Sequence, residues 1–204
     1  MPILKIQKNK NYTYAIWEIE EDLDTLLNML NTSQSEYTEI HNISHIKRRK
    51  QNIAARLLLN HLAGKKVELK YTKNGAPYCK KFKHISISHS KNYCALIISE
   101  KNIGIDIQYQ KKNIVELQNK FINTIEGIHL KTQNKNEKLH FMWCAKEAIY
   151  KTIHNQACSF LKDIHIDCDQ STMNTIGYYK NSQKYQINYS SFKDYFIAIA
   201  THVS

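Results

Sequence analysis

At 204 residues with a 42% hydrophobic fraction, the chain has the composition of an ordinary soluble globule, long enough for one domain or two small halves with a sizeable core. Its 29 Lys+Arg against 18 Asp+Glu give a formal net charge of +11, which suits an anionic partner such as a nucleic acid, an anionic cofactor, an acidic protein or a membrane surface. The strongest apolar run, "CALII" at 94–98, is far too short to span a bilayer. The start, "MPILKIQKNK", lacks the apolar core of a signal peptide. Five cysteines without a CxxC pair read as reduced thiols of a cytoplasmic protein.

Taken in chain order, residues 12–19, "YTYAIWEI", predict a strand, and 22–31 a short helix. Ser33 and Glu36 have capping-box spacing for a second helix. Residues 43–63 predict a long helix, with Ile46, Ile53, Leu57, Leu58 and Leu62 near one face and Gly64 as its stop. Its first half carries Lys47, Arg48, Arg49 and Lys50. Arg56 lies among apolar residues in "AARLLL", so a designated anion is expected for it. Residues 66–71 predict a strand and "KNGAPY" at 73–78 a turn.

Three runs follow: "HISIS" at 84–88, "YCALIIS" at 93–99 and "NIGIDIQ" at 102–108. Short loops separate them, so a meander is expected. In the first, His89 comes at the strand end, where it can reach a ligand. In the third, Ile103, Ile105 and Ile107 face one side, and Gly104, Asp106 and Gln108 the other. A bare glycine, an acid and an amide are an unusual set for a merely solvated face. Two helices fill 113–131, a polar loop 131–138, and a long helix 137–154. Strands near 163–168, 174–180, 184–190 and 195–201 complete an α+β order.

The long helix contains "WCAKEAIYK", Trp143 to Lys151, with an apolar stripe of Leu139, Met142, Ile149 and Ile153. Lys146 falls on that stripe and Glu147 beside it, and a charge there calls for a partner. Glu147 and Lys151 also have the i, i+4 spacing of a surface helix pair. Together with Asp106 on a core strand, Glu147 forms a pair of carboxylates on rigid elements, a usual way to hold Mg²⁺ beside phosphate oxygens.

"GIDIQ" followed by "WCAKEAIYK" resembles the paired signature of the 4′-phosphopantetheinyl transferases. "HISISHS", "NGAPY" and the Arg-rich helix ending in "AARLLLNHL" resemble further motifs of the larger, monomeric, surfactin-synthetase-activating type, so the resemblance spans about residues 40 to 155. It implies an enzyme that moves the phosphopantetheine arm of coenzyme A onto a serine of an apo acyl or peptidyl carrier protein, with adenosine 3′,5′-bisphosphate as the other product. It implies two similar α+β halves, 1–100 and 101–204, packed face to face with the cofactor in the cleft. Asp106, Gln108 and Glu147 would be the Mg²⁺ site, Gln108 standing where many members have an acid. Arg48, Arg49, Arg56, Ser88, His89 and Lys151 would contact coenzyme A. Lys146 and Lys151 would serve catalysis, and "FINTIE" at 121–126 places the general base at Glu126. Ala76 departs from the lysine usual in the proline turn. The carrier would be acidic and the enzyme a cytoplasmic monomer, with neither nucleic acid nor membrane as partner. The rival reading is a basic nucleic-acid-binding module using "KRRK". A carrier-binding scaffold without activity is a third, disfavoured because Asp106, Lys146, Glu147 and Lys151 are all present.

Overall fold

The structure is a computed structural model that describes residues 3–128, 130, 134–153, 157–167 and 175–203. It is α+β, in two compact units, Met1–Glu100 and Lys101–Ser204. In the first unit a four-stranded antiparallel sheet has the order β1 (Ile3–Lys8), β2 (Tyr12–Glu18), β6 (Tyr93–Ser99), β5 (His84–Ser90). The helices α1 (Leu23–Leu30), α2 (Gln34–His41) and α3 (Ile46–Ala63) come between β2 and a small hairpin of β3 (Lys70–Tyr71) and β4 (Pro77–Tyr78).

Local chemistry sets these helix ends. The Asp22 carboxylate accepts from Thr25 N at 2.8 Å to start α1. Ser33 and Glu36 form the expected capping box on α2. Gly64, in the left-handed region with φ +67°, ends α3 as expected. The buried side of α3, including Ile53, Leu57, Leu58 and Leu59, joins Trp17, Cys94 and Leu96 of the sheet in one core. Ile46, expected on that face, is exposed, because α3 packs along its later turns.

The second unit has five antiparallel strands in the order β7 (Ile103–Tyr109), β11 (Tyr195–Val203), β10 (Gln183–Phe192), β9 (Thr175–Tyr179), β8 (Ile164–Asp167). Between β7 and β8 come α4 (Ile114–Leu117), a 3-10 turn at Gln118–Lys120, α5 (Thr124–Ile128) and the long α6 (Lys135–Ile153). The expected meander is corrected here. β6 already has β2 on one side and β5 on the other, so 103–109 has no open edge there and pairs with β11 instead. The strand at Ile3–Lys8, absent from the sequence reading, is mostly exposed and shows no apolar alternation. Of the predicted strand 66–71 only Lys70–Tyr71 forms. Positions 129, 131–133, 154, 168 and 174 of the predicted elements lie outside the described residues. Both units share one plan: the strand before the helices pairs with the unit's final strand, and that strand pairs with the one before it.

α6 lies very close to β7. A Cβ on Gly104 would sit 1.9 Å from the carbonyl oxygen of Ala148. Across the β7–β11 ladder, Ala200 is opposite Gly104 and Ala198 opposite Asp106, so a low strip of small residues runs under the helix. A Cβ on Gly177 of β9 would likewise meet Ile149 at 2.5 Å. Gly104→Ala therefore forces a backbone shift rather than a side-chain adjustment. We expect a loss of at least about 1–3 kcal/mol of stability, read from urea unfolding, with Gly64→Ala, where no atom lies within 4 Å, as a control limited to its backbone strain.

Candidate active site

Gly104, Asp106 and Gln108 share the α6 side of β7, since strand side chains alternate. The close approach at Gly104 brings Glu147, the neighbour of Ala148 on α6, beside Asp106. Burial first, and then the Asp106 charge, push the Glu147 carboxyl up to about 7, against the opposing pull of Lys151 and Lys111. Lys151 reaches back one turn later: its Nζ lies 2.8 Å from Asp106 Oδ1 and 2.8 Å from the Ile105 carbonyl oxygen. The i, i+4 ion pair between Glu147 and Lys151 is not formed; Asp106 takes the ammonium instead. Gln108 is half-buried and its Nε2 donates to Tyr109 O at 3.2 Å, which leaves its carbonyl oxygen as the atom it can offer. Among the described residues there is no cluster of three or more His, Cys, Asp or Glu that could hold a metal. The site thus has two carboxylates and an amide.

Lys111 and His140 were missed in the sequence. Lys111 N donates to His140 Nε2 at 2.8 Å, and His140 Nδ1 donates to Asn136 O at 2.8 Å. This fixes the neutral tautomer, and burial lowers the His140 pKa accordingly. The Lys111 ammonium stands 4.9 Å over the Trp143 ring, one helical turn from Glu147. Only the i, i+4 spacing of Trp143 and Glu147 hinted at this. Cys144, fully buried, is inert as a thiol: burial and Asp106 hold its pKa well above the usual range.

Lys146 and Glu126 meet deep inside the unit. Lys146 Nζ donates to Glu126 Oε2 at 2.8 Å and to the carbonyl oxygens of Phe121, Ile164 and Phe160 at 2.6, 2.8 and 2.9 Å. Glu126 Oε2 also accepts from Asn123 N, and Oε1 from Ile166 N, both at 2.9 Å. Both side chains are 0% exposed. A general base must reach the proton it removes, whereas these oxygens bind α5 and β8 to α6. The geometry gives Glu126 and Lys146 the part of a structural clamp.

In the first unit, Arg48 and His89 line a groove of about 410 Å³ with His45, Lys47, Gln51 and Lys91. Gln51 Nε2 holds the turn after His89 through Lys91 O at 3.0 Å. The other expected cofactor contacts lie elsewhere. Arg49 Nε donates to Ile43 O, before the helix, and Ser88 is buried within β5. Arg56, 3% exposed, takes carboxylates of α2 as its anions, Glu39 Oε2 at 2.9 Å and Glu36 Oε1 at 3.5 Å. These pairs hold α2 on α3. Ala76 sits in a turn closed by Thr72, whose N donates to Ala76 O at 2.9 Å. Another groove of this unit, about 520 Å³, lies among Lys65, Lys70, Lys80 and Lys81 and holds none of the expected site residues.

The family model described as the 4′-phosphopantetheinyl transferase superfamily matches residues 102–200. No curated protein matches the chain.

Two outcomes follow from these charges. Lys146→Met leaves Glu126 buried without its cation and should cost about 3–5 kcal/mol. Adding Glu126→Gln should recover part of that loss in urea unfolding. Glu147 is opposite in sign. Its folded carboxyl titrates above the unfolded one, so its contribution is present at low pH and is lost as pH rises through about 7. In chelator, Glu147→Gln should therefore raise the melting temperature relative to wild type more at pH 8 than at pH 5.

Proposed function

We propose, for a chain whose residues 102–200 belong to the 4′-phosphopantetheinyl transferase superfamily, that it transfers the 4′-phosphopantetheine arm of coenzyme A to a serine of an apo acyl or peptidyl carrier protein and releases adenosine 3′,5′-bisphosphate. The observation that carries this reading is the meeting of Asp106 with Glu147 and Lys151 inside the matched segment. The serine oxygen would bond to the β-phosphorus of the pyrophosphate as the bond to the leaving bisphosphate breaks, and the serine proton would pass to water. Such a transfer asks mainly for positioning and neutralisation of charge.

The residues present fit Mg²⁺. Asp106 and Glu147 are hard oxygen donors, and burial first, then the Asp106 charge, disfavours an ionised Glu147, a cost that a divalent cation would offset. Asp106 and Glu147 would hold it, with the Gln108 carbonyl oxygen as a neutral neighbour. Mg²⁺ there would neutralise the charge of the pyrophosphate. Arg48 and His89, with Lys47 and Lys91 beside them, would hold a phosphate group of coenzyme A. The acidic character expected of the carrier matches the net charge of +11. The Glu126 clamp supports the site from behind, so Glu126→Gln would show its loss in stability rather than as the roughly 10²–10⁴-fold fall in turnover that removal of a general base brings.

The test is intact-mass spectrometry of apo carrier proteins incubated with the enzyme, coenzyme A and Mg²⁺; each modified carrier gains one phosphopantetheine. Asp106→Ala should cut turnover about 10²-fold or more, Gln108→Ala clearly less, and Gln108→Glu should lower the Mg²⁺ concentration for half-maximal rate. No mass gain on any carrier would refute the transferase reading.

A further inference from the structure

We infer that the Lys151 ammonium is a stand-in cation: it holds the Asp106 carboxylate in place in the metal-free protein and leaves it when a divalent cation binds. The inference rests on the proposed metal site and concerns only what Lys151 does there.

Its geometry is specific. Lys151 Nζ has two acceptors, Asp106 Oδ1 and Ile105 O, each at 2.8 Å. One is charged and the other is a neutral backbone oxygen on the same strand. The ammonium therefore pins the side chain of Asp106 to the line of β7. The Lys151 side chain is 24% exposed, against 8% for Asp106, so the cation has a way out that the carboxylate does not. Its four-carbon stem can swing without moving α6. The helix end itself is anchored independently: Asn102 Nδ2 donates to Thr152 O at 3.1 Å, and the Thr152 hydroxyl lies 3.0 Å from Tyr185 Oη.

The charges favour exchange over sharing. With Lys151 on Asp106, the metal-free site has two carboxylates and one ammonium, committed to the carboxylate of the strand. A divalent cation held by Asp106 and Glu147 would share the Asp106 carboxylate with the Lys151 ammonium, and like charges at such separation repel strongly in a half-buried site. Once displaced, the partly exposed Lys151 side chain would turn toward solvent. A permanent structural pin would behave differently, holding Asp106 at 2.8 Å whether or not a cation is present.

The experiment uses the full chain, without coenzyme A, and a metal alone as probe. Lysines are labelled biosynthetically with carbon-13 at the ε carbon, which leaves each ammonium and its three protons unchanged, and the Lys151 signal is assigned by its loss in Lys151→Arg. Titration with Mg²⁺ should move that signal toward those of exposed lysines. In parallel, Mn²⁺ binding followed by electron paramagnetic resonance should be roughly tenfold tighter for Lys151→Met than for wild type, because the competing charge is gone. If the Lys151 signal stays in place at saturating Mg²⁺, or Lys151→Met binds Mn²⁺ no more tightly, Lys151 is a fixed pin and the exchange is overturned while the metal site stands. If neither protein binds Mn²⁺, the metal site and the exchange fall together.

Discussion

Everything at the candidate site depends on how closely one helix can approach one strand. The carbonyl oxygen of Ala148 occupies the place where a Cβ on Gly104 would be. Neighbouring positions on the sheet are kept low by Ala198 and Ala200, and those on the helix by Ala145 and Ala148. Short side chains on both surfaces let α6 settle onto β7 with backbone nearly in contact. Only at that separation can a carboxylate from the helix feel one from the strand, and only then can a lysine one turn later reach back to a strand carbonyl. The apolar core under α6 supplies the force, and the glycine sets the distance.

Two lysines of the same helix then do opposite things with carboxylates. Lys146 is enclosed, with four oxygen acceptors, and its ion pair is saturated by further hydrogen bonds to Glu126. Removal of one partner is costly and the pair fixes geometry. Lys151 is partly exposed and holds a carboxylate that has another carboxylate close by. The first arrangement is rigid because every polar atom in it has a partner. The second is open, because its ammonium is partly exposed and has only two acceptors.

Periodicity made much of this visible in the sequence. Alternation put Gly104, Asp106 and Gln108 on one side of a strand, and helical spacing put Lys146 and Glu147 next to an apolar stripe. Helix stops such as Gly64 and the box of Ser33 and Glu36 are local and therefore legible. What sequence could not show is long-range choice. Glu36 read as a capping residue, and it is one, but it is also a partner of Arg56 twenty residues on. Lys151 read as the i, i+4 partner of Glu147, yet a strand more than forty residues earlier takes it. Strand pairing is likewise settled by which edges remain open, so 103–109 follows 93–99 in the chain but joins another sheet. The likeness between the two units lies in pairing order, which leaves no repeat in the residues.

That pairing order has a consequence for timing. In each unit the strand before the helices finds its place against the unit's final strand; in the second, Ile103 faces Thr201 and Asp106 faces Ala198. β7 is made early but has no neighbour until β11 has left the ribosome, with the helices and three other strands synthesised in between. Closing so long a loop is slow, and the carboxylate of Asp106 is not held in position beside α6 before it happens. A nascent chain stalled between the end of α6 and β11 therefore carries every charged residue of the candidate site without the strand pairing that positions Asp106.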